Sequence, residues 1–301
     1  MCIAPSIARI ANAAARQKFR SQLFWIPALG LLAGIGLYYC GDWLFWRVLA
    51  YLAVFHFIRQ QYGFMRIYSR EEKMSVWDRR IDGWTIYYAS IYPLLYWHLG
   101  APRNFNWFVD DDFYLFHWDG LLHIATALYI ATILLYLIRE VGSIILHRYI
   151  NIPRVAVLAG TLLSWYFGIV YFNGDMAFTL LNVVSHGIPY MALIWLYGQR
   201  DHGHDTRITS SVRRTSPFIR AVFGRYGIFL FLGIIFLLAW LEEGLWDMTL
   251  WKEHTSLFSV FHLAGIHLHG SWLTWVVPVL ALPQLTHYII DGFIWVRSKR
   301  S

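Results

Sequence analysis

Charge is scarce in this chain. Asp, Glu, Lys and Arg together make up 14% of its 301 residues, where a soluble domain carries about a quarter. Cysteine is scarcer still. Cys2 and Cys40 are the only two, and neither belongs to a C-x-x-C or Cys/His ligand pattern, which argues against a disulfide framework and a thiolate zinc site. Long polar segments are also few. The longest, about 199–225, includes QRDHGHDTRITSSVRRTS and reads as a cytoplasmic loop. No soluble domain boundary, internal repeat or low-complexity run is visible. The sequence has no G-x-S-x-G elbow, P-loop, G-x-G-x-x-G or H-E-x-x-H, so the common hydrolase, nucleotide-binding and metalloprotease signatures are missing.

What the chain has instead is apolar length. Hydrophobic residues are 58% of it and aromatics 19%. A helix needs about 20 apolar residues to cross a bilayer, and eight such segments can be drawn, near 22–40, 43–58, 81–99, 113–138, 154–172, 176–198, 226–243 and 271–295. The second is short and carries Arg47, placed to snorkel outward. The fourth contains Asp119, Gly120 and His123 in its outer half. Residues 254–270 are apolar but short and His-rich, and read as a re-entrant or surface helix. Pro278 and Pro283 are expected to bend the last span. Gly30 and Gly34, four residues apart, predict close helix packing.

The basic residues set the orientation. Of the 25 Lys and Arg residues, all but Arg47, Arg103 and Lys252 fall on one side of an eight-span arrangement, the positive-inside pattern. The opposite loops hold Asp42, Asp110, Asp111, Asp112, Asp175, Glu242, Glu243, Asp247 and Glu253. The expected architecture is therefore an all-α polytopic membrane bundle of about eight helices with both termini cytoplasmic. Residues 1–21 form a cytoplasmic basic segment, 22–295 a single transmembrane domain and 296–301 a cytoplasmic tail, in the cell (inner or plasma) membrane. A formal charge of +7 would suggest nucleic acid in a soluble protein. Here the cations flank apolar spans, so the expected partners are membrane lipids, with no nucleic acid.

Ionisable residues inside a membrane are expensive and mark function by default. Three spans carry a His with a polar residue one turn later: His56 with Gln60, His186 with Tyr190, and His287 with Asp291. The topology puts the three imidazoles at similar depth in the inner half of the bilayer. Three His and a carboxylate make a sensible ligand set for iron, with copper or zinc as alternatives. His56, His186, His287 and Asp291 are the candidate metal ligands, and Asp291, Tyr190 and Gln60 the candidate catalytic residues. Asp291 could instead hold the His287 tautomer from behind the metal. Arg59, Tyr62 and Arg66 lie just beyond, where a lipid headgroup or anionic substrate would approach. The densest polar cluster in any span is Gln284, His287, Tyr288 and Asp291. For each of these His residues taken singly, the ordinary reading is a hydrogen bond to a neighbouring helix.

A second His group falls on the opposite, acidic side: His117 and His123 near the fourth span, and His254, His262, His267 and His269 before the last. His117, His123, His262, His267 and His269 are secondary metal candidates there, against the plainer reading of a wet surface. His202 and His204 sit in the polar loop, which preorganises little.

In plan the chain resembles the integral-membrane histidine-box oxygenases, the fatty-acid desaturases and hydroxylases, which are multi-span proteins with a His-ligated di-iron centre on the cytoplasmic side. Their H-x-x-x-H and H-x-x-H-H boxes are absent here, so the resemblance is one of architecture. The expectation is a metal-dependent oxidoreductase acting on a lipophilic small molecule. The alternatives are a transporter or proton or cation channel with a His/Asp relay, a haem- or pigment-binding subunit partnered in a membrane complex, and an acyltransferase using a buried His as base.

Overall fold

A computed structural model describes residues 13–100, 102–104, 106–202, 217–224, 226–262 and 270–294. It is 83% helical, and the described residues contain no strand. The order is α1 (Ala13–Cys40), α2 (Asp42–Tyr68), α3 (Val76–Leu99), α4 (Asp119–His147) and α5 (Ile152–Trp165), which runs on through a π-helical turn (Tyr166–Tyr171). Then come α6 (Asp175–His202), α7 (Pro217–Phe223), α8 (Ile228–Trp246) with a second π turn (Asp247–Trp251), α9 (Ser259–His262) and α10 (Gly270–Ile294). Six stretches are long and apolar enough to cross a membrane: Ser21–Cys40, Asp119–His147, Ile152–Tyr171, Asp175–Gln199, Ile228–Trp251 and Gly270–Ile290. The protein is an all-α polytopic membrane protein. α2 and α3 are as long but more polar, with Arg47, Arg59 and Arg66 in the first and Asp78, Arg79, Arg80 and Asp82 in the second.

Local chemistry sets several helix ends. α3 begins in a capping box: the Ser75 hydroxyl accepts from the Asp78 N–H at 3.0 Å, and the Asp78 carboxylate accepts from the Ser75 N–H at 3.2 Å. α5 begins at Asn151, whose side chain accepts from the Arg154 N–H, with Pro153 in the first turn. Of the stretch 254–270, Ser259–His262 forms the short α9, and 263–269 lies outside the described residues.

The chain divides into two compact units, 46–189 and the remainder, 1–45 with 190–301. In the first unit α3 packs against α4 and α5. Tyr88, Tyr92, Ala125 and Tyr129 form one buried layer, in which Tyr92 and Tyr129 stack at 4.2 Å and the Tyr88 hydroxyl donates to the Ala125 carbonyl. A larger core gathers Ala50, Val54, Ile58, Leu94, Trp97, Phe113, Trp165, Ile169 and Phe178.

Two ionic assemblies close this unit. Arg154, 1% exposed, binds both Asp82 oxygens at 3.0 Å and both Glu140 oxygens at 2.8 and 3.0 Å, and its Nε lies 3.1 Å from Glu72. Arg139 joins through Glu140 and Asp82, and the Asn151 amide donates to Glu72. At the far end, Asp112 accepts from Arg103 at 2.8 Å and from the Trp107 and Phe108 N–H groups at 2.7 Å. Arg47 donates to the Asp111 carbonyl. Two of the three basic residues that break the charge rule, Arg47 and Arg103, are thus tied into the 102–118 connection.

In the second unit α1 packs along α10. A Cβ at Gly30 would lie 3.1 Å from Leu285 Cδ2, and one at Gly34 3.2 Å from Pro278 Cβ. These glycines permit the close approach that their spacing predicts.

Candidate metal centre

His56 on α2, His186 on α6 and His287 on α10 are 4%, 7% and 2% exposed. Imidazoles this deep in a membrane protein need polar or metal partners, because hydrocarbon offers none. The elements place them in two pairs. In the first unit the His56 and His186 rings are 5.5 Å apart, edge to face at 76°. In the second, the His287 ring meets the edge of the Tyr190 ring at 5.5 Å. α6 runs unbroken through both residues, and four residues of helix put Tyr190 one turn, about 6 Å, from His186 on the same face. Each of the three His residues offers one ring nitrogen, and these atoms lie within 4.8 Å of one another. This buried His triad could hold a metal ion.

The approach of α6 to its neighbour is sterically specified. A Cβ on Gly168, in the π turn after α5, would sit 3.2 Å from the Asn182 amide and 3.3 Å from Phe178 Cα. Asn182 lies one turn before His186 on α6, and its amide donates back to the Phe178 carbonyl at 3.1 Å. Phe57, next to His56, lies flat on the His186 ring at 3.9 Å and touches Trp107 edge-on at 5.5 Å. The surroundings of this pair are therefore aromatic.

Of the three polar residues one turn on, Gln60 and Tyr190 have described side chains. Gln60, one turn from His56, makes no hydrogen bond among the described residues, and both its amide atoms are buried. Its neighbour Gln61 is the structural one, 4% exposed and accepting from the Thr161 hydroxyl. Tyr190 is buried and its ring contact is with His287, from another helix. Asp291 belongs to α10 by its backbone, but its side chain lies outside the described residues.

Of the second His group, His117, His123 and His254 are exposed. His262 ends α9, but its side chain, with His267 and His269, lies outside the described residues. His202 ends α6, its side chain likewise outside, and His204 is outside entirely. Phe57 carries no signal in the sequence; it becomes the platform under His186 only through the packing of α6 against α2. No family model, curated protein or solved structure matches this chain.

Proposed function

We propose that this protein is a metal-dependent membrane oxidoreductase that acts on a lipophilic substrate, with His56, His186 and His287 as the metal ligands. The observation that carries the reading is the mutual approach of three buried imidazole nitrogens to within 4.8 Å. Three neutral His ligands suit iron, copper or zinc and leave coordination positions for substrate. Iron is the first choice, with Asp291 as a further ligand or as the group that holds the His287 tautomer. A bound iron or copper would supply one-electron chemistry and Lewis acidity at this point.

The chain's own residues do the rest. Phe57 fixes the plane of the His186 ring. Phe57, backed edge-on by Trp107, covers the His186 ring with apolar surface, which would exclude water and receive a hydrocarbon chain. The buried, unbonded Gln60 amide offers a donor and an acceptor to a polar atom of the bound molecule, as an otherwise unsatisfied buried group does. The charge asymmetry of the sequence supports a site in the cytoplasmic half of a cell membrane.

The test is elemental analysis with an optical spectrum on protein purified in mild detergent without a His-tag. The expected result is about one equivalent of iron, copper or zinc, as a single three-His ligand set would hold. That metal disappears in His186→Ala and His287→Ala while membrane insertion persists. Full metal content in His287→Ala, or none in the wild type, overturns the proposal. A Soret band would move the reading to a haem-binding subunit.

A further inference from the structure

The stripe of α2 that begins at His56 continues through Arg59, Gly63 and Arg66, spaced three, four and three residues apart, so the four share one helix face. Arg59 is exposed, and helical rise puts its Cα about 4.5 Å along the axis from His56. A guanidinium near the depth of a buried imidazole is costly unless something anionic meets it. Arg59 donates to the Tyr87 hydroxyl at 2.6 Å and sits 5.8 Å over the Tyr62 ring. Tyr62 and Tyr87 are themselves stacked at 5.1 Å. Arg66 reaches only the Ser69 hydroxyl, at 3.4 Å. Among the described residues neither Arg59 nor Arg66 has a carboxylate partner, whereas Arg70, Arg103, Arg139 and Arg154 in the same unit all do. Tyr87, acting as acceptor to Arg59, keeps its own O–H to donate. Between the two arginines, a Cβ on Gly63 would meet no atom within 4 Å, so the helix surface is open there.

We infer that Arg59, Arg66 and the Tyr87 hydroxyl bind the anionic headgroup, phosphate or carboxylate, of a membrane amphiphile seated over Gly63. Two guanidiniums and a phenol are a charge-assisted donor set for such oxygens, and Tyr62 and Tyr87 hold Arg59 in place beforehand. The further statement that this amphiphile is the substrate rests on the metal centre proposed above. The short rise from Arg59 to His56 would then place the reacting carbon near the polar end of the chain.

Native mass spectrometry of the full-length protein in mild detergent, with dioleoyl phosphatidic acid, oleate or dioleoyl phosphatidylcholine added separately, tests this. The two anionic lipids separate phosphate from carboxylate recognition, and the zwitterion sets the background. At least one anionic lipid is expected to be retained above phosphatidylcholine. The retention should fall roughly tenfold in Arg59→Gln/Arg66→Gln, as losing a charge-assisted bond implies. Gly63→Leu should do the same by filling the open space, with an unchanged melting temperature. Arg79→Gln/Arg80→Gln, which removes the same charge from α3, should bind as wild type. Equal retention of all three lipids, unchanged binding in the Arg59/Arg66 and Gly63 variants, or an equal loss in the Arg79/Arg80 variant overturns the inference. Metal content of the same preparations separates the two proposals: anion binding that survives in metal-free wild type retires the metal centre alone, and a metal-loaded protein indifferent to these variants retires the headgroup site alone.

Discussion

The Phe57 ring lies parallel to the His186 imidazole, with centroids 3.9 Å apart and planes inclined by 18°. Stacking of this kind limits the rotation of a ring that, in the proposed centre, would aim one nitrogen at the metal. Removing the platform would leave the three proposed ligands in place and loosen one of them. An aromatic pair is worth about 0.5–1.5 kcal/mol beyond its buried area, so Phe57→Ala should weaken metal binding by up to about tenfold. Phe57→Tyr, which keeps the ring, should stay near wild type. A chelator-competition titration reads both values; an unchanged Phe57→Ala would show that the stack does not position the ligand.

Arg154 binds two carboxylates in bidentate fashion at 1% exposure. Taking away the guanidinium would leave Asp82 and Glu140 buried with only Arg139 to serve both. Loss of one partner from a buried ion pair costs about 3–5 kcal/mol. Arg154→Met should therefore lower the melting temperature in detergent by more than any single exposed arginine variant, such as Arg70→Met. Adding Asp82→Asn to Arg154→Met should recover part of the loss. A double variant worse than Arg154→Met by the full cost of Asp82→Asn would show the two side chains to be uncoupled.

Asp112 is 0% exposed and accepts three hydrogen bonds from Arg103, Trp107 and Phe108. Arg103 in turn lies over the Trp97 and Phe113 rings. Asp112→Asn keeps the shape but turns one acceptor into a donor facing donors, a mismatch worth about 1–3 kcal/mol. Amide exchange should rise through residues 106–114 in that variant, while exchange in α4 and the metal content stay unchanged. Exchange that rises equally in α4 would mean that Asp112 supports the whole unit instead.

What the sequence makes legible follows from which signals are local. Apolar length locates α4, α8 and α10 directly, because few charges interrupt them. The 43–58 segment stops at Arg59 by hydropathy, yet α2 continues to Tyr68, since a charge ends an apolar window without ending a helix. The His residues at 56, 186 and 287 stand out because each is alone in an apolar span with a polar residue one turn on. For their polar neighbours an i, i+4 rule sees one helix only, and Tyr190 has a ring contact on another. Arg139 and Arg154 look in sequence like orientation signals at a turn. Arg154 is buried against Glu72, Asp82 and Glu140, on three other segments of chain, and Arg139 reaches Asp82 on another helix, partners that no local window contains.

The contact between α1 and α10 gives a test in which two similar glycines should differ. A Cβ at Gly30 approaches Leu285 Cδ2 at 3.1 Å, the far end of a side chain that can rotate away. A Cβ at Gly34 approaches Pro278 Cβ at 3.2 Å and Pro278 Cα at 3.9 Å, part of a rigid ring on a helix backbone. Gly30→Ala can be absorbed by a rotamer change, and the added methyl favours the helix by about 0.8–1.0 kcal/mol over glycine. Gly34→Ala can be absorbed only by moving one helix, at about 1–3 kcal/mol for an overpacked contact. Thermal unfolding in detergent should therefore leave Gly30→Ala at or above the wild-type melting temperature and put Gly34→Ala below it. Since α10 also carries His287, the shift forced by Gly34→Ala should weaken metal retention as well, and Gly30→Ala should leave it intact. Equal melting temperatures for the two variants would mean that α10 yields at Pro278, and that its position relative to α1 is not fixed by this contact.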